Sequence, residues 1–267
     1  VLKVDRVSRL YPATWSGGEV LALAEMTFEV PAGQFVAIVG PSGCGKSTLL
    51  NLVAGIDTPS TGAVALDDRR VAGPGPERGI MFQQYVLFPW MTVRGNVEFG
   101  PRARKEPRAR YREIGARYLA LVGLDGVAER YPHELSGGMQ QRCALARVLA
   151  NDPVVLLMDE PLAAVDAQTR SLLQEELLAI WGEKRDTASR KTVLYVTHAI
   201  DEAVFLADRV LVMGRKPGRL IADLPNDLPR PRVGTRRSAR FGELVESIWA
   251  LLHDEAAEAA RQLTDGH

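Results

Sequence analysis

Nine consecutive residues, Gly40-Pro41-Ser42-Gly43-Cys44-Gly45-Lys46-Ser47-Thr48, combine three glycines, one lysine and adjacent hydroxyls. Gly40, Gly43 and Gly45 carry no Cβ, so the backbone can wrap closely enough for several N–H groups to point at one anion. The spacing, four residues between Gly40 and Gly45 and then Lys46-Ser47, is that of a phosphate-binding loop. Lys46 is placed to bring a mobile full charge to β- and γ-phosphates, and the Ser47 hydroxyl to ligate Mg²⁺. The chemistry these residues suit is the binding of a nucleoside triphosphate.

Other residues suit the same chemistry. Asp159 and Glu160 follow five apolar residues, Val154-Val-Leu-Leu-Met158. Two adjacent carboxylates are costly to place near one another unless a cation or substrate shares the site. Mg²⁺ would; Asp159 then fits a metal-holding role and Glu160 the general base for an attacking water. His198 ends the apolar run Val193–Thr197 and suits a hydrogen bond to a γ-phosphate or to that water. Gln83 ends another, Gly79–Phe82. Ser136-Gly137-Gly138 opens a helical pattern with a good N-cap and two glycines, again letting backbone N–H groups approach an anion. Tyr11 has two readings, simple packing or stacking on an adenine ring.

These side chains need a scaffold. Phe35 to Val39 reads as a buried strand and Lys46 to Ala54 as a helix stopped by Gly55, the strand–loop–helix setting of a phosphate loop. Residues 2–11 and 25–30 alternate apolar and polar side chains, as half-exposed strands do, with Pro12, Gly17 and Gly18 punctuating the loop between them. From Gln83 to about Asn151 the pattern is helical. Strands with no polar face are expected at 154–158 and 193–197, as in a parallel sheet, with further strands at 209–213 and 219–222. A helix is expected over about 166–181, with Leu173, Leu177, Ile180 and Trp181 on its apolar face. The phosphate loop, Gln83, Asp159-Glu160 and His198 are therefore expected at one edge of that sheet. The basic run Arg102, Arg104, Lys105, Arg108, Arg110 and Arg112 reads as a solvated helix face or as a contact with anionic lipid or a membrane partner. Beyond about Pro225 the chain is rich in Pro and Arg and ends in an amphipathic helix around 241–263.

Composition narrows the classes. The 267 residues are 46% hydrophobic and 25% charged, as in ordinary globular chains. Lys+Arg and Asp+Glu both number 33, so no global footprint for nucleic acid is expected. No stretch has the length of a membrane span, Val1 to Asp5 shows no signal-peptide core, and Cys44 and Cys143 suggest neither a disulfide nor a zinc framework. A cytoplasmic protein is the expectation.

Taken together, the residues resemble the nucleotide-binding subunit of an ABC transporter over nearly the whole chain. Tyr11, Gly40–Thr48, Gln83, Leu135–Met139, Val154–Glu160, Asp166 and His198 stand in the order of that family's A-loop, Walker A, Q-loop, signature, Walker B, D-loop and switch histidine. The resemblance implies an α/β fold: a RecA-like P-loop NTPase core, an N-terminal antiparallel β subdomain and an inserted α-helical signature subdomain. It places the ATPase domain at 1–225, with the helical insertion at about 87–152, and a separate tail at 226–267. It implies that Tyr11 stacks on adenine and that Gly40, Pro41, Ser42, Gly43, Cys44, Gly45, Lys46, Ser47 and Thr48 contact ATP. Ser47, Gln83 and Asp159 would hold Mg²⁺, and Lys46, Gln83, Glu160 and His198 would form the catalytic set. Two subunits would pair head to tail around two ATP molecules, with Ser136, Gly137 and Gly138 reaching the γ-phosphate on the opposite subunit. Met139 stands where the signature usually ends in Gln.

Gly73-Pro-Gly-Pro-Glu-Arg-Gly79, Leu87-Phe-Pro-Trp90 and Leu228-Pro-Arg-Pro-Arg232 look like the importers of taurine, alkanesulfonates and nitrate. That branch implies a peripheral protein on the cytoplasmic face of the inner membrane. It would work with transmembrane permease subunits, with a periplasmic or surface substrate-binding protein acting indirectly, and not with nucleic acid. Taurine comes first as substrate, before nitrate or a heterocyclic vitamin precursor. A soluble ABC ATPase acting on DNA or ribosomes usually has two cassettes or long coiled-coil insertions, and neither is present. A kinase would need an acceptor site and a GTPase a guanine motif such as Asn-Lys-x-Asp, which is not found. A non-hydrolysing regulatory subunit finds no support while Glu160 and His198 are both present.

Overall fold

The computed structural model describes residues 1–13, 18–84, 86–163, 165–182, 190–215 and 217–265, with side chains up to 258. In chain order the strands and helices begin with β1 (Leu2–Pro12), β2 (Glu19–Val30), β3 (Phe35–Val39), α1 (Lys46–Ala54), β4 (Thr61–Leu66) and β5 (Arg69–Arg70). Next come β6 (Arg78–Met81), α2 (Val93–Ala103), α3 (Arg108–Leu121), α4 (Gly137–Leu149), β7 (Val155–Asp159) and α5 (Ala167–Trp181). The series ends with β8 (Thr192–Thr197), α6 (Ile200–Leu206), β9 (Arg209–Met213), β10 (Leu220–Pro225) and α7 (Ala239–Asp265). The architecture is α/β. The chain divides into two compact units, Val1–Gly75 with Gly182–His267, and Pro76–Trp181.

The first unit holds an antiparallel sheet in the order β2-β1-β4-β5. Beside it, β3 runs parallel to β8 on one side and β9 on the other, and β10 pairs antiparallel with β9. Every residue of β3 is fully buried, which is why that strand has no polar face. Helix α1 spans the expected residues and stops at Gly55, whose φ of 76° is left-handed; a Cβ there would lie 2.3 Å from the Gly73 carbonyl oxygen. After β10 the chain stays on this unit. Arg230 donates to the Asp208 carboxylate and to the Leu206 carbonyl, each at 2.7 Å, and the fully buried Arg232 donates to the Ala207 carbonyl at 2.7 Å. Helix α7 buries Phe241, Leu244 and Ile248 and meets α6.

In the second unit β6 and β7 are parallel, with Met81 opposite Met158. Helices α2, α3 and α4 close around Val93, Val97, Leu119, Leu124, Cys143 and Ala146. Asn96, also fully buried, bonds the loop before α2: its amide donates to the carbonyls of Phe88, Met91 and Thr92 at 3.1–3.2 Å and its Oδ1 accepts from Phe88 N–H at 2.8 Å. The exposed arginines at 108, 110 and 112 lie on α3, so that helix begins earlier than its apolar positions suggest. Among the described residues, no helix is long and apolar enough to cross a membrane.

Candidate nucleotide site

The phosphate loop joins β3 to α1. Gly43 and Gly45 have φ of 74° and 99°, left-handed values that favour glycine. At Gly45 the space also requires it, since a Cβ would stand 2.4 Å from Leu23 Cδ2. Lys46 is only 5% exposed, and its Nζ donates to the carbonyls of Gly40 and Pro41 at 2.9 and 3.0 Å. A buried ammonium is tolerated because it is hydrogen-bonded in this way. Ser42, Gly43 and Ser47 face solvent, Pro41 and Thr48 are half-buried, and Cys44 is buried, which pushes its thiol pKa up. The loop therefore presents N–H groups, a cation and a hydroxyl at the positive end of α1.

His198 leaves β8 at the same end that the phosphate loop leaves β3, because Val39 pairs with Thr197. It is exposed. Its neighbour Thr197 is buried, donating its hydroxyl to Glu202 at 2.6 Å and accepting from Ala199 N–H at 3.0 Å. Sequence reasoning missed this pair, which fixes the backbone on both sides of the histidine. It also missed Asp57, which accepts from the Tyr11 hydroxyl at 2.6 Å and pairs with Arg9 at 2.8 Å, while the Arg9 guanidinium covers the Tyr11 ring at 4.4 Å. No local signal in the sequence links positions so far apart.

In the second unit, the Met81–Met158 register brings Gln83 and Asp159-Glu160 off adjacent strands at one end. Gln83 is exposed; Asp159 and Glu160 are half-buried. Glu160 has φ of 44°, a left-handed backbone that costs a non-glycine residue about 1–3 kcal/mol. The turn is held by Ala163 N–H donating to the Glu160 carbonyl at 3.1 Å and by the burial of Leu162. Asp166 caps α5, accepting from the N–H groups of Thr169 and Gln168 at 3.0 and 3.1 Å. Those bonds, Thr169 first, hold its carboxyl below the usual range.

Ser136 caps α4 through a long bond from Met139 N–H, 3.4 Å. A Cβ added at Gly137 would meet nothing within 4 Å, and at Gly138 only Thr169 Cγ2 at 3.6 Å. Among the described residues, packing therefore leaves room for a side chain at both positions. Met139 is half-buried against the core of the helical segment, a place for an apolar side chain rather than an amide.

Residues 23–163 match the family model described as ABC transporter. The chain belongs to the ABC transporter family. It is 47% identical over 260 residues to an uncharacterised ABC transporter ATP-binding protein of Methanocaldococcus jannaschii, covering 97% of this chain and 94% of the relative. It is 45% identical over 248 residues to a nitrate import ATP-binding protein of a Synechocystis species, covering 90% and 91%. A taurine import ATP-binding protein of a Jannaschia species is 43% identical over 250 residues, with 91% of each covered. Among solved structures, a dimeric ATP-binding cassette bound to ADP and phosphate superposes with a TM-score of 0.73 at 30% identity, covering 86% of this chain and all of that one. The fold is that of a P-loop ABC cassette, and the chain is an ABC-type ATPase.

Each of Ser47, Gln83 and Asp159, the donors expected for Mg²⁺, carries an oxygen atom of the kind that ion takes beside its waters and substrate phosphates. Among the described residues, no group of three or more His, Cys, Asp or Glu makes a dedicated metal cage.

Proposed function

We propose that this ABC ATPase drives uptake of a small anion, taurine or a related sulfonate first and nitrate second, as a peripheral subunit on the cytoplasmic face of the membrane. The observation that carries the nucleotide part is the buried Lys46 within left-handed glycines at the head of α1. Lys46 and the loop N–H groups neutralise phosphoryl charge, Glu160 orients and deprotonates the attacking water, and His198 and Gln83 assist at the reacting end. Tyr11 stacks on adenine. When bound at Ser47, Gln83 and Asp159, Mg²⁺ would supply charge neutralisation at the phosphates.

The open space at Gly137 supports a head-to-tail dimer with a second copy, in which residues 136–138 reach nucleotide on the partner. Exposed rings support a docking site for permease subunits: Trp90 is 70% exposed, and Phe88 lies 5.6 Å from it and 4.6 Å from Phe99. A substrate-binding protein would act through those subunits. Residues 1–225 form the ATPase domain and 226–267 its tail. Relatives named for nitrate and for taurine are almost equally similar, and residues 73–79, 87–90 and 228–232 resemble the importers of both, so taurine comes first on family resemblance alone. The test is growth of a deletion strain on single sulfur or nitrogen sources. Failure on taurine, rescued by the wild-type chain but not by Glu160→Gln, is expected; a defect on nitrate alone would overturn the sulfonate.

A further inference from the structure

Between β9 and β10, residues 214–215 and 217–219 form a wall of the phosphate loop. Gly214 N–H donates to the Arg219 carbonyl at 2.9 Å and closes the turn. Gly218 is stitched to β2: its N–H donates to the Ala22 carbonyl at 3.0 Å, and its carbonyl accepts from Ala24 N–H at 2.8 Å. A Cβ at Gly218 would stand 2.0 Å from the Cys44 carbonyl oxygen, and one at Gly40 would stand 2.7 Å from the Met213 carbonyl oxygen. Backbone therefore lies against backbone with nothing between.

The same turn is gripped by α7. Glu255 Oε1 accepts from Arg215 N–H at 2.9 Å and Oε2 from the Arg219 guanidinium at 2.9 Å. A Cβ at Gly214 would fall 2.6 Å from Glu255 Oε1. The Glu255 side chain is 10% exposed, against 45% for Arg219.

We propose that Glu255 is a positioning residue for the phosphate-binding loop. By clamping the turn it fixes Gly218 against Cys44, and the Cys44 carbonyl and the Gly45 N–H are two ends of one planar peptide. A shift of the turn rotates that plane and turns a phosphate-facing donor away. Close-packed atoms transmit such a shift rather than absorb it. The C-terminal helix thereby sets nucleotide affinity from outside the site. The inference rests on the reading of residues 40–48 as the nucleotide loop.

The experiment compares full-length wild type, Glu255→Gln and Glu255→Ala for binding of mant-ATP with Mg²⁺, for ATPase kinetics and for labelling by N-ethylmaleimide. Cys44 and Cys143 are the only cysteines and both are buried, so peptide mapping reads the loop against an internal control. Glu255→Ala is expected to weaken binding about fivefold or more, with kcat at saturating ATP retained. Glu255→Gln, which keeps an acceptor, should fall between. Labelling of Cys44 should accelerate and that of Cys143 should not. Unchanged affinity, or both thiols accelerating together as in general loss of stability, overturns the proposal. If Glu255→Ala does not fold, Arg219→Ala removes one of the two bonds at a more exposed position and carries the same comparison. Failure of the wild type to bind mant-ATP would overturn the loop assignment itself and the proposal with it.

Discussion

The Thr197 hydroxyl donates to the Glu202 carboxylate across 2.6 Å, and both side chains are buried. Thr197→Val keeps the shape and removes the donor, and Ala199 N–H loses its acceptor as well. A loss of about 1–3 kcal/mol is expected, read as a lower urea midpoint with unchanged slope. Because His198 lies between these bonds, kcat should fall severalfold while ATP affinity holds.

Glu160→Gln should retain ATP and release almost no phosphate, since the amide cannot take the proton of the attacking water. Equilibrium binding beside a phosphate-release assay separates the two effects, and hydrolysis at the wild-type rate would remove Glu160 from the role of base. Lys46→Ala should fail one step earlier, at binding itself.

Gly137→Ala discriminates a role inside the chain from one outside it. A Cβ there meets nothing within 4 Å, so the melting temperature should hold or rise slightly. ATPase activity should drop by at least about tenfold if a partner's phosphate approaches that backbone. Light scattering with ATP in a Glu160→Gln background should show fewer dimers.

Glu98 is 3% exposed, and burial pushes its carboxyl pKa up against the pull of Arg112, Arg94 and Arg102. A carboxyl raised in the folded state stabilises below its unfolded value, and that contribution is lost as pH rises through the folded value. Glu98→Gln carries no such titration. Its urea midpoint should exceed that of wild type at pH 8, and the gap should close on acidification toward pH 4. A gap that widens on acidification would show the opposite shift.

Much of this was legible in the sequence where local physics decides. The apolar run at 35–39, the glycines of the loop and Gly55 fixed β3 and α1 to the residue, because burial, left-handed turns and a helix stop are each written in adjacent positions. Where partners decide, the reading fell short. Glu19 to Ala24 contains Leu-Ala-Leu-Ala, which favours helix, yet it extends β2 because β1 pairs along it. Strand β4, with its small residues, exists only through β1 on one side and β5 on the other. Helix α4, by contrast, begins directly after Ser136, the N-cap that its sequence suggests. In the site, residue types and spacing pointed to the loop, the carboxylates and the histidine; the supports at Asp57 and Glu202 depend on contacts that only the folded chain makes.

The Lys46 ammonium, held by the carbonyls of Gly40 and Pro41, has a kinetic consequence. Its water was stripped when the chain folded, once, and not anew at each turnover. An arriving triphosphate meets a cation already out of water, an encounter that rewards multiple negative charge and leaves a weakly charged competitor with little to gain. The cation is thus a sieve for polyanions as well as a clamp, already set before anything binds.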